Sequence, residues 1–220
     1  MVERYKIYSP LLGNKRDISI YPSMEKFEED SYILSPFNAY SSLAYFVMSC
    51  YISAFTQSFY FINLLGVFIG HMLSTFSFLW WASQKDTAQR IDIVLYSGLI
   101  LWPGFHSLIH IYPENEIILS LLLILGLFYC LFHIFERGVN KTEITIFNII
   151  SFIFSFTCLV RCINPTNYLY IIGGLNIIIL GFLMKFYDTY KVLNPNIIGS
   201  GTGWFHILTA FGVMLLWSGF

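Results

Sequence analysis

The side chains in this chain that could do chemistry are polar groups at the ends of long apolar segments. Ser77 lies near the end of one such segment, and Asp92 lies near the start of the next. His206 lies at the start of the last apolar segment. Ionisable side chains in such positions are costly in free energy and are usually functional. These three residues are therefore candidates for a site embedded in a membrane.

The composition indicates a helical membrane protein. Of the 220 residues, 56% are hydrophobic and 11% are charged, which is too apolar for an ordinary soluble domain. We predict an all-α, seven-helix transmembrane bundle over residues 35–220 after a polar N-terminal tail over residues 1–34, because continuous apolar runs favour helices over a barrel. Each run is close to the ~20 residues that a spanning helix needs. The predicted spans are 35–55, 58–81, 91–112, 117–135, 143–162, 169–186 and 203–220.

The distribution of basic residues predicts the orientation. Eleven of the 12 Lys and Arg residues fall in the tail and in the loops after the second, fourth and sixth spans. Only Arg161 falls on the other side. The positive-inside rule therefore puts the N-terminus inside, in the cytosol or the mitochondrial matrix, and the C-terminus outside. In this arrangement Ser77, Asp92 and His206 all lie at the inner membrane face.

These residues resemble the signature of the CREST superfamily, which includes alkaline ceramidases and the progesterone/adiponectin-receptor family. In that pattern Ser-x-x-x-His ends the second helix, Asp opens the third, and His-x-x-x-His opens the seventh. Ser77, Asp92 and His206 match the pattern, whereas Trp81 and Thr202 occupy two of the histidine positions. The resemblance implies a seven-span hydrolase fold with a zinc ion on three histidines. It also implies that the serine and the aspartate help to position water and the oxyanion.

The two replaced histidines change the expected chemistry. Zinc hydrolysis needs three protein ligands and an open position for water. The indole of Trp81 has no lone pair for a metal, and the hydroxyl of Thr202 is a poor zinc ligand. His206 is then a remnant of the metal site, and Ser77 and Asp92 are remnants of the catalytic site. We expect no cofactor, and we expect zinc only if the chain is a hydrolase with an unusual ligand set.

The tail carries an acidic run formed by Glu25, Glu28, Glu29 and Asp30. Alkaline ceramidases have an N-terminal acidic cluster that binds calcium, so the resemblance implies a calcium site here. Closely spaced carboxylates supply the hard oxygen ligands that calcium prefers. The alternative is that the run is a solvated approach to the membrane.

Two other features receive structural interpretations. His106 and His110 are spaced to face one side of a helix, but His110 lies about 27 Å from Asp92 along that helix. We predict that the two histidines form an interfacial or partner-contacting pair at the outer membrane edge. The small residues Gly66 and Gly70 predict a close helix approach, and so do the glycines of the sixth span.

Three functions are open. The loss of two ligands favours a non-catalytic, ceramidase-like subunit, accessory or structural, of a larger membrane complex. The alternatives are a zinc-dependent lipid amide hydrolase and a lipid-binding or receptor-type bundle without hydrolysis. The expected partners are the lipid bilayer, other membrane subunits and, in the alternatives, a ceramide-like lipid. Because no basic patch is present, nucleic acid is not expected.

The sequence leaves the membrane undecided. The tail contains no apolar core beside a small-residue cleavage site, so we expect no secretory signal. The inner charge bias is compatible with the mitochondrial inner membrane, and the resemblance to ceramidases is compatible with the endoplasmic reticulum or Golgi.

Overall fold

The fold is described from a computed structural model, and the structure describes residues 33, 35–55, 61–189 and 200–220. All regular secondary structure in these ranges is helical. The acidic run of the tail lies outside the described residues. The helices are α1 (Pro36–Ser41), α2 (Ala44–Phe55), α3 (Phe61–Ser83), α4 (Asp86–Ile111), a 3-10 helix (Pro113–Asn115), α5 (Glu116–Arg137), α6 (Lys141–Val160), α7 (Tyr168–Thr189) and α8 (Gly201–Ser218).

Five of the described helices, α3 to α7, are long and apolar enough to cross a membrane. Their length and composition identify the chain as an integral membrane protein and confirm the predicted helical membrane class. The number of seven spans and the orientation remain predictions.

The first predicted span consists of two short helices rather than one. The break lies at Ser42, whose hydroxyl donates to the carbonyl oxygens of Ala39 at 2.6 Å and Asn38 at 3.2 Å. Ser41 donates in the same way to Asn38 at 3.0 Å. Serine hydroxyls that bond to preceding carbonyls compete with the helical hydrogen bonds and bend a helix. Residues 35–55 therefore follow a bent path.

The turn between α3 and α4 is much shorter than the apolar segments predict. The helices extend beyond the apolar runs, to Ser83 and from Asp86, so only two residues join them. One of these, Gln84, has a φ of 53°, and its side-chain amide lies 3.3 Å from the Trp80 carbonyl oxygen. This tight reversal sets the end of α3 beside the start of α4. As a result, Asp92 lies in the second turn of its helix, next to α3.

Glycines allow α7 and α8 to pack with their backbones nearly in contact. A Cβ added to Gly174 would lie 2.7 Å from the carbonyl oxygen of Gly212. The prediction of close approach is also confirmed at Gly70, where a Cβ would lie 2.9 Å from the Cβ of Ser49. It is wrong for Gly173, which faces open space.

The packed core lies between α2, α3, α4 and α8. It contains large buried side chains such as Tyr45, Ile69 and Trp102. The Trp102 indole donates to the carbonyl oxygen of Ile62 at 2.8 Å, which satisfies its one polar group. By contrast, α5 exposes large apolar side chains such as Phe132 along most of its length. The bundle thus has a buried side that positions the polar residues and an apolar side suited to lipid.

Candidate functional site

Trp81 and Thr202 stand where the resemblance expects histidine. Both lie at one end of the bundle. The Trp81 ring of α3 packs against the His206 ring of α8, with ring centroids 6.3 Å apart. Thr202 lies one turn before His206 on the same helix. Both Trp81 and Thr202 are buried. The fold therefore brings these three positions together from distant parts of the sequence.

Asp92 and Ser77 lie side by side at the same end. The Asp92 carboxyl is close enough to the Ser77 hydroxyl and to the Lys185 ammonium for both to interact with it. Ser77 is buried, and its Oγ makes no hydrogen bond of standard geometry in the described structure. The pair is therefore adjacent without a closed hydrogen bond. A small rotation of either side chain, or a water molecule, is enough to connect them.

His206 is held by the first helix. Its Nδ1 lies 3.0 Å from the hydroxyl of Ser41, which also bonds to the carbonyl oxygen of Asn38. The imidazole packs against the ring of Tyr45, with centroids 5.7 Å apart, and is only 4% exposed. One ring nitrogen of this histidine is thus already engaged by a serine.

Thr202 is part of the N-terminal cap of α8. Its backbone N–H donates to Asp188 Oδ2 at 3.0 Å, and its hydroxyl donates to the same oxygen. The hydroxyl of Ser200, the N-cap residue, also donates to that oxygen at 3.2 Å. A carboxylate at a helix N-terminus satisfies free N–H groups and interacts favourably with the helix dipole. The buried Asp188 therefore fixes the start of α8 against the end of α7.

Lys185 is the residue that sequence reasoning missed. It lies at the end of the sixth predicted span, 169–186, and was counted with the loop that follows, but it lies within α7 and is half-buried. Its Nζ donates to the Thr202 hydroxyl at 2.7 Å and lies 5.4 Å from the centroid of the Trp81 ring. This second contact is a cation–π interaction. The spacing of Lys185 three residues before Asp188, which places both on one helix face, is the signal that could have identified the pair.

The donor set at this end of the bundle does not fit a zinc ion. Indole offers no lone pair, and the Thr202 hydroxyl is engaged by Lys185 and Asp188, so His206 is the one imidazole among the three positions. Over all described residues, no group of three or more His, Cys, Asp and Glu side chains could hold a metal ion. The calcium prediction at Glu25, Glu28, Glu29 and Asp30 concerns residues outside the described ranges.

The histidine pair of α4 lies at the far end of that helix from Asp92. His106 is buried, with its ring 4.9 Å from the Trp217 ring of α8, whereas His110 is exposed. His106 therefore packs against α8 of the same chain, and the predicted interfacial or partner-contacting role of the pair stays a prediction. Both histidines line a cavity of about 690 Å³, separate from the Ser77 and Asp92 end.

Comparison with protein-family models, with curated proteins and with solved structures finds no match to this chain. The resemblance to the CREST superfamily remains a prediction that rests on Ser77, Asp92 and His206.

Proposed function

We propose that this chain is a non-catalytic, ceramidase-like seven-span membrane protein that serves as an accessory or structural subunit of a larger membrane complex. One observation carries the proposal. Of the three positions where the resemblance expects zinc ligands, only His206 has an imidazole, and the other two hold Trp81 and Thr202. A catalytic zinc ion needs three ligands and an open position. Trp81 and Thr202 supply neither ligand.

The role of a subunit is supported by the outer surface. The helix α5 exposes large aromatic side chains such as Phe128, Tyr129 and Phe132 over its membrane-length face. Such a face suits lipid and equally a neighbouring transmembrane helix, so it is compatible with a subunit of a complex. The proposed partners are therefore the bilayer and other membrane subunits. The proposed membranes are the mitochondrial inner membrane and the endoplasmic reticulum or Golgi, which fractionation distinguishes.

The competing function is a zinc-dependent lipid amide hydrolase. The adjacency of Ser77 and Asp92 favours it, because a hydroxyl and a carboxylate side by side are the parts that the resemblance assigns to water and oxyanion positioning. It would need a ligand set other than the one the pattern predicts. The two functions therefore differ in a measurable activity.

The experiment is purification of the full chain from its own membrane in mild detergent, followed by native mass analysis and an assay with ceramide. We expect the chain to migrate with a fixed set of other membrane subunits and to hydrolyse no ceramide. An Asp92→Asn variant, purified in parallel, is the matched control for any trace of hydrolysis. A monodisperse monomer that cleaves ceramide, with cleavage lost in Asp92→Asn, would overturn the proposal. A monomer that retains ceramide without cleaving it would overturn it in favour of a lipid-binding bundle.

A further inference from the structure

The ammonium of Lys185 lies among the residues that occupy the positions of the zinc-site pattern. It donates to Thr202 at 2.7 Å and lies over the Trp81 ring at 5.4 Å. It also lies near enough to the Asp92 carboxyl and to the His206 imidazole to act on both electrostatically. These four residues come from α3, α4 and α8, and Lys185 itself comes from α7. One cation therefore touches or faces every position that the pattern assigns to a metal ligand and to the aspartate.

A half-buried cation inside a membrane bundle must have compensating groups, since an uncompensated one is costly in free energy. Lys185 has two kinds. The aromatic face of Trp81 attracts it through the ring quadrupole. The hydroxyl of Thr202 accepts a hydrogen bond from the ammonium and in turn donates to Asp188, so that the ammonium, the hydroxyl and the carboxylate form one chain of hydrogen bonds.

We propose that the Lys185 ammonium occupies the place of the zinc ion and supplies the positive charge there. The residues around it agree with this exchange of a metal for a side chain. An indole and a hydroxyl, which serve a metal poorly, are suitable partners for an ammonium, as a π face and as a hydrogen-bond acceptor. The inference rests on the proposed non-catalytic function. It explains why Trp81 and Thr202 in particular stand at the two positions where histidine is expected.

The exchange has a direct consequence for restoring a metal site. A divalent ion and an ammonium about 4 Å apart repel each other strongly even at an effective dielectric constant of about 20, which lowers metal affinity by more than about a hundredfold. Histidines at positions 81 and 202 are therefore not sufficient for zinc binding while Lys185 remains. Removal of the lysine charge must accompany them.

The test compares two variants of the full chain purified in detergent. One carries Trp81→His and Thr202→His, and the other carries the same two changes with Lys185→Met. Zinc is measured by elemental analysis, and cobalt is used as a second probe because its visible absorption reports tetrahedral coordination. We expect stoichiometric zinc and a tetrahedral cobalt spectrum only in the variant with Lys185→Met. Equal metal uptake by the two variants, including none by either, would overturn the inference.

A second measurement applies if the multiple variants do not fold. Lys185→Met, Asp92→Asn and their combination form a double-mutant cycle of thermal unfolding in detergent. We expect Lys185→Met to lower the unfolding temperature, because it leaves the Asp92 carboxylate without the nearby positive charge. Asp92→Asn in the same chain should restore part of the loss, because the neutral amide does not need that charge. Arg161→Met, which removes an exposed cation, is the control and should have little effect. Additive effects of Lys185→Met and Asp92→Asn would contradict the placement of the ammonium. Failure here leaves the ceramide assay of the natural chain, and hence the proposed function, unaffected.

Discussion

At the scale of single residues, Thr202 connects the charged side chains of Lys185 and Asp188 in the polar cluster, which we define as Ser41, Ser77, Trp81, Asp92, Lys185, Asp188, Thr202 and His206. Its hydroxyl accepts from the Lys185 ammonium and donates to the Asp188 carboxylate. A hydroxyl is the smallest side-chain group that does both at once. This explains why a threonine suits a position where the resemblance expects histidine. Replacement of the hydroxyl by a methyl group removes both side-chain hydrogen bonds and keeps the backbone bond of residue 202 to Asp188.

We predict that Thr202→Val destabilises the chain by about 1–3 kcal/mol, because it removes one buried hydrogen bond to the ammonium and one to the carboxylate without changing the shape of the side chain. The backbone bond from residue 202 to Asp188 is retained. Thermal unfolding of the detergent-solubilised chain measures the effect. Thr157→Val is the matched control, since the Thr157 hydroxyl is exposed and bonds only to a carbonyl oxygen of its own helix. Equal losses in the two variants would show that the connection through Thr202 does not stabilise the cluster.

The sequence identified some residues of this cluster and missed others for a physical reason. Ser77, Asp92 and His206 were identifiable because a polar residue inside an apolar run costs free energy in a membrane and therefore indicates a specific role. Lys185 lies just inside the predicted end of the sixth apolar run at residue 186, and Asp188 lies just beyond it. The same composition there fits a solvated loop or a further helical turn. Only the helix that extends to Thr189 directs them inward. Contacts such as that of Ser41 with His206, which are 165 residues apart, also depend on the fold.

At the scale of elements, the contact between α7 and α8 determines whether Lys185 and Asp188 reach the start of α8. The two helices approach at Gly174 and Gly212, where a Cβ on either would lie within 3 Å of the other residue's carbonyl oxygen. A backbone-to-backbone contact of this kind cannot relax by rotation of a side chain. Small residues at such crossings are typical of transmembrane helix packing.

We predict that Gly174→Ala lowers stability by about 1–3 kcal/mol, because the added methyl group separates α7 from α8. Gly173→Ala is the control within the same helix, since its added Cβ meets nothing within 4 Å. That change should be neutral or slightly stabilising, because alanine favours helix more than glycine does. The measurement is thermal unfolding of both variants in the same detergent. A loss at Gly173 as large as that at Gly174 would contradict the described crossing.

The apolar runs predicted which parts of the chain are helical but not where each helix ends. Hydropathy marks the extent of membrane contact, whereas hydrogen bonds set the ends of a helix. The two-residue turn after Ser83 and the bend at Ser42 therefore escaped prediction. Both features matter for the site. The turn sets Asp92 beside Ser77, and the bent first segment brings Ser41 to His206.

At the scale of the whole molecule, the bundle has the polar cluster on its buried side and apolar side chains on its exposed side. The cluster joins α1, α3, α7 and α8 through hydrogen bonds and ring contacts, and it joins α4 through the electrostatic interaction of Asp92 with Lys185. The outer side, mainly α5, is suited to lipid or to other transmembrane helices. In the proposed account the cluster stabilises the bundle, and the outer side accounts for membership of a complex.

The measurement that tests this account most directly is the zinc content of the natural chain, purified from its own membrane and compared with a His206→Ala variant. The account predicts that zinc is far below one ion per chain and that His206→Ala does not change it, because Trp81 and Thr202 provide no ligands and Lys185 holds the positive charge. Stoichiometric zinc in the natural chain, lost in His206→Ala, would contradict the account and support a metal-dependent hydrolase.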